Sequence, residues 1–233
     1  MWYRLTKGLT ALLCGITVVT FSPAHAQIER CIEGDKATQS DNSAAAVEHY
    51  TACLDNARLT AASRVRALLN RALAYGELKR WSQALEDQKA GLALEAPRNV
   101  WPLVMLSVYH REVKEYEPAL AALRAAMSLD EDGPGTGPGM AVHYHMGQTL
   151  HAMGRYREAI EVYTRGIPKQ PDYGYALYRR ALAYEAVGDL EMTKRDLFRV
   201  AELEPRDGYE ADVAAKLKGY GFTVRKVRSE SLR

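Results

Sequence analysis

The sequence predicts an all-α fold in which pairs of antiparallel helices repeat and stack into a solenoid. Segments 140–173 and 174–207 align without a gap, which sets a repeat length of 34 residues. Each segment has a glycine at its fifteenth residue, Gly154 and Gly188, where a first helix can end without steric cost. Each also has a proline near its end, which stops a second helix. One such pair cannot bury its apolar face alone, so several pairs must stack.

Residues 1–26 are predicted to be a cleaved signal peptide. Arg4 and Lys7 form a short basic segment, residues 8–21 carry no charged side chain, and Ala24-His25-Ala26 supplies the small residues of a cleavage site. The apolar stretch is shorter than the roughly 20 residues that span a bilayer. We therefore expect a periplasmic or secreted protein without a transmembrane segment in its mature chain. An uncleaved anchor is the alternative.

The charge of the mature chain is balanced. The whole chain has 31 Lys and Arg against 29 Asp and Glu, and loss of Arg4 and Lys7 leaves 29 of each. A nucleic-acid binder usually shows a basic excess or stripe, so no nucleic-acid partner is expected. The basic cluster in the tail, 220–233, is interpreted as a solvated terminus.

The first helix pair is degenerate and spans 27–64. Its first helix is predicted to be short, and Ser40-Asp41-Asn42-Ser43 predicts a turn followed by a helix N-cap. The mature chain keeps Cys31 and Cys53, and an exported chain meets an oxidising compartment, so one disulfide is predicted. Closing this loop would stabilise the fold by roughly 3 kcal/mol.

The remaining pairs follow in register. Pairs two and three occupy 65–133, a Gly/Pro loop fills 134–139, and pairs four and five occupy 140–207, with Pro171 and Pro205 near their ends. The loop is interpreted as a tolerated surface insertion, with a hinge as the alternative. Residues 208–219 predict a capping helix, which a solenoid end requires.

The segment 146–163, M-G-Q-T-L-H-A-M-G-R-Y-R-E-A-I-E-V-Y, resembles the consensus of the tetratricopeptide-repeat (TPR) family, whose unit is two antiparallel helices in 34 residues. The resemblance covers about residues 28–207. It implies a right-handed TPR-type solenoid of four clear repeats, with one degenerate N-terminal repeat and a C-terminal capping helix.

The resemblance also implies a binding surface. In the family, positions 2, 5, 9, 12 and 13 of each unit line a concave face. Aromatic side chains there are the commonest anchors of protein interfaces. In this register the residues predicted to contact a partner are Arg66, Trp101, Arg111, Tyr144, Gln148, His151, Tyr175 and Tyr178. The alternative is that some of these rings pack within the solenoid or under the tail.

TPR proteins that grip a C-terminal carboxylate resemble one another in Lys, Asn and Arg residues at positions 2, 5, 6 and 9. Here Arg66, Asn70 and Arg179 match, whereas Leu69 and Leu73 stand where Lys and Asn would. The pattern therefore favours a more apolar or extended segment over a chain end.

No pattern of catalytic residues is present in the sequence. His143 and His145 are two residues apart on a helix and point to different sides, and no HExxH set, phosphate-binding loop or nucleophile elbow occurs. We expect no enzyme activity, no cofactor, no metal and no small-molecule substrate. The predicted function is an exported scaffold that binds protein or peptide partners through the aromatic groove. The alternatives are a non-catalytic accessory subunit of an envelope-assembly or polysaccharide enzyme complex, and self-association.

Overall fold

A computed structural model of the chain describes residues 23–55, 58–131, 139–203 and 209–222. Four segments of the sequence prediction lie wholly or mostly outside these ranges: the signal peptide 1–26, the loop 134–139, Pro205 and the tail 220–233. The described residues form α-helices and one short 3-10 turn, Ile167–Lys169, and contain no strand. The all-α prediction is confirmed.

The helices follow one another in antiparallel pairs, each packed most closely on its sequence neighbour: α1 with α2, α3 with α4, α5 with α6, α7 with α8, and α9 with α10. The final helix, α11, packs on α10. Their bounds are α1 Pro23–Gln39, α2 Ser43–Leu54, α3 Ala61–Glu77, α4 Trp81–Leu94, α5 Trp101–Glu112, α6 Tyr116–Glu131, α7 Met140–Ala152, α8 Tyr156–Gly166, α9 Gly174–Ala186, α10 Leu190–Glu202 and α11 Glu210–Gly219.

The first helices of the pairs form an inner layer. Helix α1 contacts α3, α5 contacts α7, and α7 contacts α9, so first helices meet across successive pairs. This arrangement is the stacking that a solenoid needs, because each pair buries its apolar face only against its neighbours.

Helix α1 corrects the expectation of a short first helix in the first pair, since it has 13 residues even when counted from Gln27, the first residue of the predicted mature chain, as many as α7. The glycine in its interior, Gly34, is required by packing. A Cβ atom there would lie 2.6 Å from the ring of Tyr50. Gly147 and Tyr163 make the same contact in the fourth pair, at 2.5 Å, so glycine at this position makes room for a buried tyrosine.

The turn inside each pair is closed by a residue with left-handed backbone at the fifteenth position of its unit. The residues and their φ angles are Asp41 (54°), Lys79 (58°), Lys114 (65°), Gly154 (74°) and Gly188 (81°). In the first pair the following residue, Asn42, caps α2 through its side chain, which accepts from the amide of Ala45 at 3.2 Å. Five equivalent turns therefore set the register of the solenoid.

The core is continuous apolar packing between helix pairs. The middle pairs share one cluster built around Val104, Leu120, Leu123, Val142 and Tyr163, all essentially inaccessible. Helix α11 closes the end of the solenoid, where Val213 and Leu217 are buried against α9 and α10 residues.

Two buried ion pairs occupy equivalent places in pairs two and five. Arg71 donates from Nε and Nη2 to Asp87 at 2.6 and 2.8 Å. Arg180 donates in the same way to Asp196, at 2.7 Å for both bonds. Each arginine also donates to a threonine of the preceding pair: Arg71 to Thr51 and Arg180 to Thr164. These networks tie neighbouring pairs together.

A disulfide joins Cys31 on α1 to Cys53 on α2, with their Cα atoms 5.1 Å apart. It links the two helices of the pair that departs most from the repeat pattern. In the described part of the chain, no helix combines the length and apolar character needed to cross a bilayer.

Candidate functional site

Two inner helices carry exposed apolar side chains at positions that the repeat register predicts to line the concave face. Trp101 at the start of α5 is 56% exposed and Leu73 on α3 is 38% exposed. Val104, which the repeat pattern places on this face, is instead fully buried in the core. A tryptophan left in water on an inner helix is unusual for a purely structural side chain, since its burial would be strongly favourable.

Beyond Trp101, polar side chains from three inner helices gather at the middle of the concave face. Arg111 comes from α5, four residues come from α7, and one comes from α9. We call this group the central cluster; its members are Arg111, Tyr144, His145, Gln148, His151 and Arg179.

Tyr144 lies at the centre of this cluster. Gln148 donates from Nε2 to its hydroxyl at 2.8 Å, and its ring packs edge-on against Tyr173, with centroids 5.3 Å apart. Burial raises the pKa of Tyr144, while the nearby Arg179 and Arg111 guanidiniums oppose that rise. The hydroxyl is therefore a neutral hydrogen-bonding group beside two cations.

The two histidines of the central cluster are neutral at physiological pH. Burial lowers the pKa of His145 to about 4, and the positive charge of Arg111 adds to this shift. Burial also lowers the pKa of His151, again assisted by an arginine, Arg179. His151 packs edge-on against Tyr156, with ring centroids 4.9 Å apart.

The arginines of the cluster have buried N–H groups without hydrogen-bond partners in the described part of the chain. These are Nη1 of Arg111 and Nε of Arg179. The ion pair of Arg111 is with its sequence neighbour Glu112, at 3.4 Å. Nδ1 of His145 and the hydroxyl of Tyr163 are buried nearby and also lack partners there. Buried polar groups in proteins are nearly always bonded to protein, water or a ligand, so these donors make the cluster a candidate binding site.

Tyr175 and Tyr178 lie against the residues that lead into α11. The Tyr178 ring stacks on Tyr209 with centroids 5.7 Å apart, and its hydroxyl donates to the Asp212 carboxylate. Tyr175 meets the same Tyr209 ring edge-on at 4.8 Å. Both rings therefore pack under the C-terminal cap, as in the alternative considered from the sequence.

Arg66, the remaining residue of the predicted set, is at the N-terminal side of the concave face. Its guanidinium is exposed and lies 3.5 Å from the Asp35 carboxylate on α1. Asp35 also accepts from the hydroxyl of Tyr50 and from Asn70. Arg66 thus already has a partner carboxylate, unlike Arg179.

Sequence reasoning considered His145 only as a metal ligand, and it did not predict that Arg179 would lack a carboxylate partner among the described residues. The dipeptide Arg179-Arg180 was a signal in the sequence that could have shown this difference. Arg180 has an aspartate, Asp196, at the facing position of the second helix of its unit, and Arg179 does not. The other histidines have local partners, His110 with Glu115 at 2.7 Å and His143 with the Gly139 carbonyl at 3.3 Å. Within the described ranges, no group of three or more His, Cys, Asp or Glu side chains is arranged to hold a metal ion.

Comparison with known proteins connects this architecture to one family. The tetratricopeptide-repeat family model matches residues 141–167. Among curated proteins, Superkiller protein 3 of Saccharomyces cerevisiae is 26% identical over 108 residues, 46% of this chain and 7% of its own length. Protein PHOX3 of Arabidopsis thaliana is 31% identical over 80 residues, 34% of this chain and 9% of its own length. The chain thus spans under a tenth of either curated relative.

Solved structures share the fold over much more of the chain. A crystal structure of MamA has a TM-score of 0.62 at 20% identity, covering 86% of this chain and 98% of its own. MamA of Desulfovibrio magneticus RS-1, from residue 41 to its end, has a TM-score of 0.64 at 13% identity, covering 76% and 94%. YrrB, described as a TPR protein with an unusual peptide-binding site, has a TM-score of 0.61 at 16% identity, covering 83% and 92%.

The matched repeat at 141–167 coincides with α7 and α8, and the other helix pairs repeat its geometry along the solenoid. The chain therefore contains a match to the tetratricopeptide repeat at 141–167 and has the fold of solved tetratricopeptide-repeat proteins such as YrrB.

Proposed function

We propose that this protein is an exported scaffold that binds an extended segment of a partner protein on the concave face formed by α3, α5, α7 and α9. The observation that carries the proposal is Trp101, which is 56% exposed on the inner helix α5. Interface energy is concentrated in a few buried aromatic anchors, and a partner segment would complete the burial of this ring.

The shape of the face supports a peptide-like partner. The inner helices of a solenoid present an extended concave surface, and Leu73 supplies a second exposed apolar contact on α3. YrrB, which shares the fold, is described as having a peptide-binding site. An extended segment can follow such a surface across several helix pairs.

Export is supported by two independent features. The N-terminal residues have the layout of a secretory signal, and Cys31 and Cys53 form a disulfide. Disulfides persist in oxidising compartments and are rare in the cytosol. We therefore place the protein in the periplasm or outside the cell.

The test is affinity capture from envelope extract with three baits: the wild type, Trp101→Ala, and the matched control Leu94→Ala. Leu94 is 48% exposed at the end of the outer helix α4, so its truncation removes exposed apolar surface away from the concave face. We expect a partner that the wild type and Leu94→Ala retain equally and that Trp101→Ala loses by at least about tenfold. Equal capture by all three baits would contradict binding on this face.

A further inference from the structure

The arginines on the inner helices fall into two groups that differ in whether a buried carboxylate accepts their hydrogen bonds. Arg71 and Arg180 each donate two hydrogen bonds to one buried aspartate and a third to a threonine. Arg111 has a 3.4 Å pair with the neighbouring Glu112, and Arg179 has no carboxylate partner among the described residues. The first kind stabilises the solenoid; the second kind is left with donors to spare.

Those spare donors are largely shielded from water. The side chain of Arg111 is only 14% exposed, and Nη1 of Arg111 and Nε of Arg179 are buried without partners in the described structure. A buried guanidinium N–H without a hydrogen-bond partner is costly, because it gives up hydration and gains no bond in return. A bound group that accepts hydrogen bonds from these donors would remove that cost.

The guanidiniums of Arg111 and Arg179 both lie near the hydroxyl groups of Tyr144 and Tyr163. Arg111 and Arg179 come from α5 and α9, on either side of α7, and both oppose the burial-driven rise in the pKa of Tyr144 and of Tyr163. The Tyr144 hydroxyl accepts from Gln148 at 2.8 Å and keeps its own proton to donate. Donors from three helices thus converge on the central cluster.

We infer that Arg111 and Arg179 form an anion site at the middle of the concave face and that a side-chain carboxylate of the bound partner segment occupies it. This inference rests on the proposed function and specifies the chemistry of the partner. The segment would carry an Asp or Glu at this point and an apolar residue placed to cover Trp101.

A carboxylate fits the donor set. The planar fork of an arginine matches the two oxygens of a carboxylate, and such charge-assisted bonds are the strong ones. A side-chain rather than a terminal carboxylate is favoured because Leu69 and Leu73 occupy the positions where Lys and Asn hold chain ends in related proteins. The face continues past the site toward α3, whereas α11 covers part of α9 through the Tyr178–Asp212 and Lys216–Glu185 contacts.

The experiment selects peptides from a random twelve-residue display library against the full protein. Three forms are used: wild type, the double variant Arg111→Gln/Arg179→Gln, and the control Arg165→Gln. The control removes an exposed arginine of the outer helix α8, which pairs with Glu161 at 3.7 Å. Circular dichroism checks that each form is folded, and Arg179→Lys, which keeps the charge without the fork, serves as a second variant.

We expect the wild type and Arg165→Gln to select peptides with a shared Asp or Glu, and the double variant to select without that preference. Replacing the shared acid by its amide should weaken binding to the wild type by about tenfold to a hundredfold. The same replacement should have little effect on the double variant, which makes the pair of changes a double-mutant cycle. Arg179→Lys should lie between the two.

The contrary outcomes separate the two proposals. Peptides selected without any acidic residue would overturn the carboxylate site and leave the peptide-binding face intact. Dependence on a free C-terminus, or displacement by inorganic phosphate but not by acetate, would overturn the side-chain carboxylate as the occupant. Failure of every form to select any peptide would overturn the proposed function and the site together.

Discussion

Adjacent residues of the same type can have opposite effects on stability, and Arg179 and Arg180 provide a direct test. Arg180 is bonded twice to Asp196, which is 2% exposed. Arg180→Met should cost about 3–5 kcal/mol of unfolding free energy, because it strands a buried carboxylate. Arg179→Met removes a cation without a carboxylate partner in the described structure and should leave stability unchanged or raise it by up to about 1 kcal/mol.

Urea unfolding of the two methionine variants beside the wild type measures both effects. The variants differ by one position and share the same new side chain, so helix propensity and hydrophobicity are matched. Similar losses for Arg179→Met and Arg180→Met would mean that Arg179 has a structural counter-ion, and would remove the basis of the anion site.

His145 should make stability depend on pH. Its pKa is lowered to about 4 in the folded state, against 6.5 for an ordinary histidine. Between these values the unfolded chain binds a proton that the folded chain does not, so stability falls as pH falls through this window. The loss at pH 4 should reach at most about 3 kcal/mol.

His145→Gln isolates this contribution from those of the carboxylates and the other histidines. Unfolding free energies of wild type and variant, measured at pH 7.5 and pH 4.5, should show a smaller acid-induced loss in the variant. Equal losses in both proteins would show that His145 titrates normally in the folded state.

At the scale of single helix pairs, the residue with left-handed backbone in the turn between the two helices contributes to the free energy of unfolding. Lys114 adopts φ 65° and Gly154 adopts φ 74° at equivalent positions. Lys114→Gly should stabilise by about 0.5–1 kcal/mol, because an L side chain is strained there. Gly154→Ala should destabilise by about 1 kcal/mol for the same reason.

Thermal unfolding of these two variants tests the turn directly. A Cβ atom added at Gly154 would meet nothing within 4 Å, so the alanine probes backbone strain without a steric clash. Stabilisation by both changes, or by neither, would show that the turns are not equivalent in energy.

Helix boundaries were predictable from the sequence because the repeat places the same turn every 34 residues. The register gave the pairing of helices α3 to α10. The segment Ser40-Asp41-Asn42-Ser43 predicted a turn and an N-cap, and the structure shows the cap at Asn42. The sequence misjudged α1, which was expected to be short and has Gly34 in its interior. An interior glycine weakens a helix in isolation, and only the packing of Tyr50 explains why it is there.

The candidate site was predictable in part. The register put Arg111, Tyr144, Gln148 and His151 on the inner helices, and the structure gathers them in the central cluster. It could not show that Tyr175 and Tyr178 lie under Tyr209. That contact depends on how the capping helix docks, which periodicity within one helix does not encode.

Over the whole molecule, the contacts that join neighbouring helix pairs are polar at some junctions of the solenoid and apolar at others. The ion-pair networks of Arg71 and Arg180 join the first pair to the second and the fourth to the fifth. The middle pairs have Leu106 and Met146 where these arginines would stand, and pack through an apolar core.

Export of the whole chain gives the last test, because it joins the signal segment to the disulfide. In a bacterial host with a periplasm, we expect the protein in the periplasmic fraction, with Gln27 as its first residue. Denatured without reductant it should show no free thiol, and after reduction it should show the two thiols of Cys31 and Cys53. If residues 1–26 stay attached, Cys14 adds a third thiol, so mass and thiol count report processing independently. Cytoplasmic protein that begins at Met1 and keeps Cys31 and Cys53 reduced would contradict the proposed compartment.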